Sequence, residues 1–370
     1  MSILKSAPRK LWSFLNVINS IVPKNDRKIF LYSNLGFRDN VRAVYDYLIE
    51  NGYNEEYKII CSLNDYKEQT AQKNVRFVSN IRGLFSFFTC RYAFYCFGKY
   101  PVKPRRGQAV FNLWHGMPLK RVGNMVSGFE KTDYNYFTYI LCTSEFFRGI
   151  MKDSFSCDDS QIAICGQPRT DEMIRSASYF VNGGKLLLWL PTFREGFSDE
   201  LDILTQEQFQ QLDAMCAEYG WRVLVKLHSL SEADISQYSG FENIKIMTQR
   251  QFERENSNLY TLLGHTDCLI TDYSSVYFDY LLLDRPVGFA VKDIEKYGSE
   301  RGFTFENPSD YMPGEVFSDG GKMLEFVKSV FEGKDSFKGK RKELNALFNR
   351  FGDGENCRRA VETLGIRKQK

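Results

Sequence analysis

From about residue 28 onward, the chain alternates two hydrophobic patterns. Short apolar runs such as KIFLYS, YKIICSL, AVFNLW and CLITD have the length and the β-branched or aromatic content of buried strands. The segments between them, such as NVRAVYDYLIEN and TQEQFQQLDAMCAEYG, place apolar residues three or four positions apart, which is typical of amphipathic helices. Strands that alternate with such helices predict parallel sheets covered by helices on both faces.

The alternation pauses at NGGK and then restarts, which predicts an α/β fold of two doubly wound, Rossmann-like domains. The division falls near residues 175–185. We therefore expect an N-terminal segment at 1–27, an N-terminal domain at 28–178 and a C-terminal domain at 179–370. No internal repeat or low-complexity tract interrupts this organisation.

The N-terminal segment follows a pattern of its own. Its apolar residues recur at helical spacing, and six basic residues stand against one acidic residue up to Lys28. A basic amphipathic helix with a tryptophan can lie on an anionic lipid surface. The alternative is a helix that packs on its own domain. The apolar positions are Leu11, Trp12, Phe14, Leu15, Ile18 and Val22.

Composition narrows the function classes. The 370 residues are 43% hydrophobic and 26% charged, an ordinary globular balance, and the net charge of +3 does not argue for nucleic acid as a partner. The nine cysteines are odd in number and form no C-x-x-C pair, which suits a reducing compartment and disfavours a disulfide framework or a zinc site. No apolar run reaches the length of about 18 residues that predicts a membrane span, and we expect no signal peptide.

Polar and charged side chains follow four of the predicted strands. In open parallel sheets, ligands bind beyond the carboxyl ends of the strands, so this convergence predicts an active site. After AVFNLW come His115, Gly116, Lys120 and Arg121; after LLLWL come Thr192 and Arg194; after VLVK comes His228; and after CLI come Asp272, Ser274 and Ser275.

The stretch TDYSS joins a strand to a helix-like segment and has two interpretations. Ser274 and Ser275 are common capping residues, and capping alone could account for them. Free backbone N–H groups at a helix start also bind phosphate. The chain has no G-x-x-x-x-G-K-[ST], no G-x-G-x-x-G and no D-x-D. These absences disfavour a P-loop enzyme, a dinucleotide dehydrogenase and a sugar-nucleotide enzyme that holds a metal through carboxylates.

The three histidines differ in context. His115, in WHGMPLK, is predicted to lie on a tight turn, where it can act as a general base near neutral pH or hydrogen-bond its own loop. His228 ends a buried strand, either as a satisfied core residue or as a donor to a phosphate oxygen. His265 precedes a strand and is predicted to be structural.

Five stretches in order, NLWHGMPLK, CGQPRTDEM, LLWLPTFRE, VKLHS and LITDYSSVYFDYLLLDRPVGF, resemble the CDP-glycerol glycerophosphotransferase family, the teichoic acid primases and polymerases of bacterial cell walls. Looser similarity in SNLGFRDNVRAVYDYL and DIEKYGSERGFTFE extends the resemblance over residues 28–330. It implies the GT-B arrangement of two Rossmann-like domains facing a cleft, the first binding the acceptor and the second the CDP donor. It also implies peripheral attachment to the cytoplasmic face of the inner membrane, where a lipid-linked polymer acceptor lies, and neither metal nor cofactor.

The resemblance also implies a role for each candidate residue. His115 matches the base for the acceptor hydroxyl, and His228 matches the partner of the donor diphosphate. Asp272 is implied to position its loop or to contact the donor. Thr192, Arg194, Ser274 and Ser275 are implied donor-phosphate ligands, and Gly116, Lys120 and Arg121 are expected on the acceptor side.

The predicted activity is transfer of glycerol phosphate from CDP-glycerol to a hydroxyl of a lipid-linked cell-surface polymer, with release of CMP. Two departures from the family pattern lie beside the two histidines: Met117 replaces a small residue such as Thr, and Ser229 replaces a Pro. Three alternatives stay open. These are a transferase that uses CDP-ribitol, a GT-B glycosyltransferase that uses a nucleotide sugar, and a non-catalytic scaffold that binds the polymer.

Overall fold

The computed structural model describes residues 9–368, apart from 180–183, 193–200, 229–230, 232–234, 239, 256–257 and 293. The chain forms two compact units, each built on one parallel sheet. Unit 1 comprises Met1–His115, Gly123–Asp171 and Arg350–Lys370, and unit 2 comprises Gly116–Val122 and Glu172–Asn349. The predicted α/β fold class is confirmed.

Unit 1 contains the N-terminal helix and a seven-stranded sheet. Its elements, in chain order, are α1 (Arg9–Ile21), β1 (Asn25–Ser33), α2 (Asp39–Glu50), β2 (Lys58–Leu63), β3 (Val75–Val78), α3 (Asn80–Thr89), β4 (Cys90–Tyr95), β5 (Ala109–Asn112), β6 (Tyr139–Cys142), α4 (Glu145–Phe155) and β7 (Ile162–Ile164). The strand order is β3-β2-β1-β4-β5-β6-β7, and every neighbouring pair is parallel. β2 and β4 are buried at all but one position each, as strands covered on both faces are.

Unit 2 contains a six-stranded parallel sheet. Its elements are α5 (Thr170–Tyr179), which leads in from unit 1, then β8 (Lys185–Trp189), α6 (Gln206–Tyr219), β9 (Trp221–Lys226), β10 (Ile244–Met247), α7 (Gln249–Arg254), α8 (Leu259–Gly264), β11 (Cys268–Thr271), α9 (Val276–Tyr280), β12 (Val287–Ala290), α10 (Ile294–Arg301), β13 (Glu315–Phe317), α11 (Gly320–Phe331) and α12 (Lys338–Phe348). The strand order is β10-β9-β8-β11-β12-β13. Trp189 and Val225 of the sheet pack with Phe209 of α6 in its core.

After α12 the chain returns to unit 1. The backbone N–H of Arg350 donates to the carbonyl oxygen of Thr143 across 3.0 Å. The last helix, α13 (Asn356–Thr363), is capped by Asp171, whose carboxylate accepts hydrogen bonds of 2.9 and 2.7 Å from two backbone N–H groups at the helix start. Burial raises the pKa of Asp171 to about 6, although these hydrogen bonds oppose the shift.

The two units differ from the predicted division at 1–27, 28–178 and 179–370. Residues 350–370 belong to unit 1, and 116–122 belong to unit 2. Neither crossover has a local sequence signal, because each depends on contacts between residues that are distant along the chain. The first described part of the N-terminal segment also packs on unit 1 as part of that unit.

Two strands, β3 and β13, were not predicted from the hydrophobic pattern. Both form an edge of their sheet, so each is paired on one side only. Each is short and contains a solvent-exposed residue, Arg76 in β3 and Glu315 in β13. The other strands were predicted from continuous apolar runs. A strand at the edge of a sheet need not contain such a run.

Helix α1 presents apolar residues on two sides. On one side Leu15 and Ile18 are half-buried, and the amide of the fully buried Asn19 donates to Oε1 of Gln108 across 2.9 Å. Packing on its own domain therefore accounts for this side of the helix. Another side exposes Leu11, Phe14, Val17 and Ile21 to solvent.

All nine cysteines are buried and free of disulfides. Burial raises the pKa of thiols such as that of Cys61 well above its ordinary value, so these side chains behave as small apolar groups. Among the described helices, none is long and apolar enough to cross a membrane.

Candidate active site

His115 lies on a tight turn that follows β5 at the carboxyl end of the unit 1 sheet. The side-chain oxygen of Asn112 accepts a hydrogen bond of 3.0 Å from the backbone N–H of Trp114. Trp114 adopts a φ of +47°, which is uncommon for residues other than glycine, and Gly116 adopts a φ of +128°. A side chain at position 116 would strain the backbone, so this turn requires its glycine.

The imidazole of His115 is half-buried against two aromatic rings. It stacks on Trp114 with a centroid distance of 4.0 Å and on Phe97 with a distance of 5.2 Å. Burial lowers the pKa of His115 to about 4, and the charge of Arg169 also lowers it, whereas Asp39 and a hydrogen bond to its own backbone raise it. The ring is therefore neutral at pH 7 and able to accept a proton.

Arg169, in the loop between β7 and α5, fixes the backbone of this turn. Its Nη1 donates to the carbonyl oxygen of His115 across 3.0 Å and forms an ion pair of 2.8 Å with Asp39. The side chain of Arg169 is only 5% exposed, so its charge is balanced inside the protein. Asp39 itself adopts a φ of +62°, which is uncommon for a residue other than glycine.

Asn40 completes this support from the start of α2. Its Nδ2 donates to the carbonyl oxygens of Leu113 and Trp114 at 3.0 and 3.1 Å, and its Oδ1 accepts from the backbone N–H of Arg169. Sequence reasoning gave none of these supporting residues a role. A signal was present, because Asp39 and Asn40 lie in GFRDN and Arg169 lies in GQPRTDEM, two stretches that carry the resemblance.

In unit 2, Asp272 connects the loops after two neighbouring strands, β8 and β11. Its Oδ2 accepts a hydrogen bond of 2.9 Å from the backbone N–H of Thr192, and its Oδ1 accepts another from the Thr192 hydroxyl. Asp272 is 2% exposed, whereas Thr192 is half-buried. The structure therefore brings these two predicted residues together, with Asp272 holding Thr192 at the edge of the sheet.

Ser274 and Ser275 lie half-buried at the start of α9, as predicted. The helix they open has only five residues, so its dipole is small. Ser274 Oγ accepts from the backbone N–H of Val276 at 3.4 Å, whereas the Ser275 side chain makes no capping hydrogen bond. Capping thus accounts for one serine and not for the other.

Lys120 and Arg121 belong to unit 2, although they were expected on the acceptor side with His115. Lys120 Nζ lies 5.3 Å above the ring of Tyr297, and Arg121 Nε donates to the carbonyl oxygen of Phe303 across 3.3 Å. Tyr297 and Phe303 both contact the ring of the buried Tyr273, which directly precedes Ser274. Lys120 and Arg121 therefore contact the aromatic cluster of Tyr297, Phe303 and Tyr273, the last of which directly precedes Ser274 in the predicted donor loop.

Four further residues of the sequence analysis are His228, His265, Arg194 and Ser229. His228 follows β9 and is exposed, which excludes the interpretation as a satisfied core residue. His265 ends α8 and is partly buried. Arg194 and Ser229 lie outside the described residues. Across the part of the chain that the structure describes, no group of three or more His, Cys, Asp or Glu side chains could hold a metal ion.

Comparison with known proteins identifies the family. The family described as CDP-Glycerol:Poly(glycerophosphate) glycerophosphotransferase matches residues 14–365. The chain belongs to this family. It is 23% identical over 401 residues to the teichoic acid glycerol-phosphate transferase of Staphylococcus aureus, and the match covers 98% of both chains.

Two other relatives are also enzymes of teichoic acid synthesis. The chain is 24% identical over 389 residues to a teichoic acid poly(glycerol phosphate) polymerase of Staphylococcus epidermidis; the match covers 95% of this chain but only about half, 51%, of that protein. A ribitol-phosphate primase of Bacillus spizizenii is similarly related, at 25% identity over 350 residues, 85% of this chain and 86% of that one.

The fold agrees with a solved structure of the family. The wall teichoic acid polymerase TagF superimposes with a TM-score of 0.77 at 20% identity, covering 96% of this chain and 92% of that one. The similarity confirms the GT-B-like fold class predicted from the sequence.

Proposed function

We propose that this protein transfers glycerol phosphate from CDP-glycerol to a hydroxyl of a lipid-linked polymer acceptor. A phosphodiester forms and CMP is released. The observation that carries the proposal is His115, a neutral imidazole on a turn at the carboxyl end of a parallel sheet, where Arg169 donates a hydrogen bond to its backbone carbonyl oxygen. A polymerase of the same fold whose structure was determined after a soak with CDPG, at 21% identity, supports the choice of donor.

The reaction follows from these roles. His115 takes the proton of the acceptor hydroxyl, and the oxygen attacks the β-phosphorus of the donor in line. The bond between that phosphorus and the bridging oxygen breaks, and CMP leaves with the electron pair. A pKa of about 4 makes His115 a weak base in the free protein. An anionic donor phosphate nearby raises the pKa of the imidazole, so we expect the base to strengthen when the donor is bound.

The donor ligands we propose are on unit 2. Ser274 and Ser275 donate hydroxyl or backbone hydrogen bonds to the phosphates. Thr192 already donates its backbone N–H and its hydroxyl to Asp272, so we propose that this pair shapes the donor site rather than donating to a phosphate. The exposed His228 donates a hydrogen bond to the leaving group, and Arg194, which lies outside the described residues, adds positive charge there. We also assign Lys120 to the donor, because it attaches to the aromatic cluster beside Ser274. Gly116 acts through its backbone on the acceptor side. The proposed chemistry uses these groups without a metal ion.

The test is CMP release by the purified protein with CDP-glycerol and membrane-derived acceptor, in the presence of EDTA. We expect release that requires acceptor and survives EDTA. Loss of activity with EDTA, restored by a divalent cation, would overturn the metal-free chemistry. Release from a UDP-sugar and not from a CDP-polyol would overturn the proposal in favour of a glycosyltransferase.

Ribitol is the second candidate polyol, because glycerol-phosphate and ribitol-phosphate enzymes are related to this chain at similar identity. The same assay with CDP-ribitol separates the two. Release from CDP-ribitol alone would keep the mechanism and change the polyol.

We also propose that unit 1 attaches to the cytoplasmic face of the membrane. Phe14 and Ile21 of α1 are 61% and 74% exposed, and Phe85 of α3 is 70% exposed. The two helices contact each other, and neither contains an Asp or Glu. Exposed apolar side chains beside basic residues such as Arg82 suit an anionic lipid surface. The proposal extends the predicted surface from the segment 1–27 to α3.

A further inference from the structure

We propose that Arg38 forms a phosphate subsite beside His115, which binds the phosphodiester of the acceptor next to the attacking hydroxyl. The inference rests on the proposed function, because that function supplies an acceptor made of polyol phosphate units. It assigns a role to a residue between β1 and α2 that no motif reasoning singled out.

The first observation is a continuous stack. The guanidinium carbon of Arg38 lies 5.7 Å from the centroid of the Phe97 ring, and Phe97 in turn stacks on His115 at 5.2 Å with an interplanar angle of 17°. The distance between the guanidinium carbon of Arg38 and the centre of the His115 ring is therefore at most the sum of these two distances. Because this sum is an upper limit, it permits a phosphodiester one polyol unit from the attacking hydroxyl to reach the guanidinium.

The second observation concerns charge. Within the described residues, the structure records no ion pair or hydrogen bond for the side chain of Arg38, which is half-buried. The neighbouring carboxylate of Asp39 pairs with Arg169. Asp65 forms no recorded ion pair with Arg38; its Oδ2 accepts from the backbone N–H of Phe37 at 2.9 Å, and its Oδ1 is buried without a hydrogen-bond partner among the described residues. Arg38 thus keeps a positive charge at the edge of the sheet where the acceptor is proposed to bind.

The third observation is a contrast on the same helix. Arg42, one turn along α2, also lies over an aromatic ring, at 5.2 Å from the centroid of Phe37. Its guanidinium, however, forms two hydrogen bonds to Asp46, at 2.8 and 2.7 Å. Of two arginines that lie over aromatic rings, Arg42 is therefore neutralised by a carboxylate, and Arg38, over the ring that stacks on His115, is not. A guanidinium group can bind two phosphate oxygens at once through paired hydrogen bonds.

The ligand could be a phosphate from either substrate, and steady-state kinetics separates the two sources. Arg38→Gln is expected to raise the KM for acceptor roughly ten- to a hundredfold with little change in the KM for the CDP donor, the loss typical of a charge-assisted hydrogen bond. Arg38→Lys keeps the charge without the paired geometry and should give an intermediate KM. The matched control, Arg42→Gln, should leave both KM values at the wild-type level.

A change in the donor KM alone would overturn the assignment to the acceptor. Wild-type values of both KM in Arg38→Gln would overturn the subsite itself. A structural role for Arg38 predicts a lower melting temperature and no dependence on salt. The subsite predicts an unchanged melting temperature and an acceptor KM that rises with ionic strength only when Arg38 is present.

A binding experiment tests the Arg38 subsite without requiring the proposed reaction. Glycerophosphoglycerol, a phosphodiester with hydroxyls on both sides, is titrated into the full-length protein and binding is measured by calorimetry. Wild-type binding that is weakened roughly tenfold or more in Arg38→Gln and kept in Arg42→Gln supports the subsite, even if no CDP-polyol is consumed. No binding to the wild-type protein at millimolar concentration would overturn it, even if CMP is released from CDP-glycerol.

Discussion

The carbonyl oxygen of His115 accepts a hydrogen bond of 3.0 Å from Nη1 of Arg169. Along the chain, β6 and β7 separate the two residues. The same nitrogen pairs with Asp39, so one buried cation joins the loops that follow β1, β5 and β7. The position of the imidazole is therefore set by residues that need not touch a substrate. This arrangement makes Arg169 and Asp39 positioning residues for the proposed base.

Substitution of either member of this pair should change the titration of His115 in opposite directions. Arg169→Gln removes a positive charge that lowers the pKa of the imidazole, so the acid limb of kcat/KM should move to higher pH. Asp39→Asn removes a negative charge that raises this pKa, so the limb should move to lower pH. Each change also leaves a buried charge unpaired, which costs about 3–5 kcal/mol in the free energy of unfolding.

The pH profiles are compared with chemical denaturation of the same variants. If Arg169 and Asp39 had only a structural role, both variants would be less stable, and the acid limb of kcat/KM would stay at the wild-type pH. Arg358→Gln is a suitable control, because Arg358 forms exposed ion pairs with Glu355 and Glu362 on α13 of the same unit. This control should leave the pH profile unchanged.

His115 itself should give an unusually acidic profile. Because burial lowers its pKa to about 4, the imidazole stays neutral down to pH 5, and kcat/KM should be nearly constant between pH 7 and 5 if no other group titrates there. His115→Gln should lower kcat by roughly 10²–10⁴-fold, the usual effect of losing a general base, and should remove the acid limb. Near-normal turnover by His115→Gln would exclude the assignment.

The same shift has a consequence for stability. An unfolded chain carries His115 with a pKa near 6.5, above the folded value of about 4. Between these values the unfolded state binds more protons, so this residue contributes stability above pH 6.5 that is lost as the pH falls towards 4. Urea unfolding of wild-type protein and His115→Gln at pH 7 and pH 5 should therefore show a smaller loss on acidification in the variant.

Much of the fold followed from the hydrophobic pattern, and the exceptions have physical causes. Central strands such as β2 and β11 are buried on both faces and therefore need continuous apolar runs, which is the signal that predicted them. The edge strands β3 and β13 do not need such runs. The return of residues 350–370 to unit 1 depends on Asp171 and on the backbone of Thr143, and a local pattern contains neither contact.

Some residues of the candidate site could likewise be predicted from the sequence, and others could not. Residues that directly follow strands, such as His115 and Asp272, could be identified because chain order alone brings them to the carboxyl edge of a sheet. Arg169 could not be assigned from pattern, because its partner Asp39 lies 130 residues away. The end of α9 at Tyr280 also could not be predicted from the sequence, because the apolar spacing of a helix continues through VYFDYLLLD.

Asp272 should act through Thr192. Asp272→Ala leaves the backbone N–H and hydroxyl of Thr192 without their acceptor, so we expect the KM for CDP-glycerol to rise roughly ten- to a hundredfold. Thr192→Ser keeps both hydrogen bonds and should stay close to wild type, whereas Thr192→Val loses the hydroxyl and should behave partly like Asp272→Ala. Steady-state kinetics at saturating acceptor measures these effects. If Thr192→Val matched wild type while Asp272→Ala raised KM, Asp272 would contact the donor itself.

The exposed faces of α1 and α3 should determine membrane binding. Full burial of a phenylalanine side chain is worth about 1.5–3 kcal/mol, so Phe14→Glu and Phe85→Glu should each weaken binding to vesicles roughly tenfold or more. The control is Leu347→Glu, because Leu347 is also exposed but lies on α12 of unit 2. Co-sedimentation with vesicles that contain anionic lipid measures binding. Equal retention of all three variants, or no binding of the wild-type protein, would rule out this surface as the membrane attachment site.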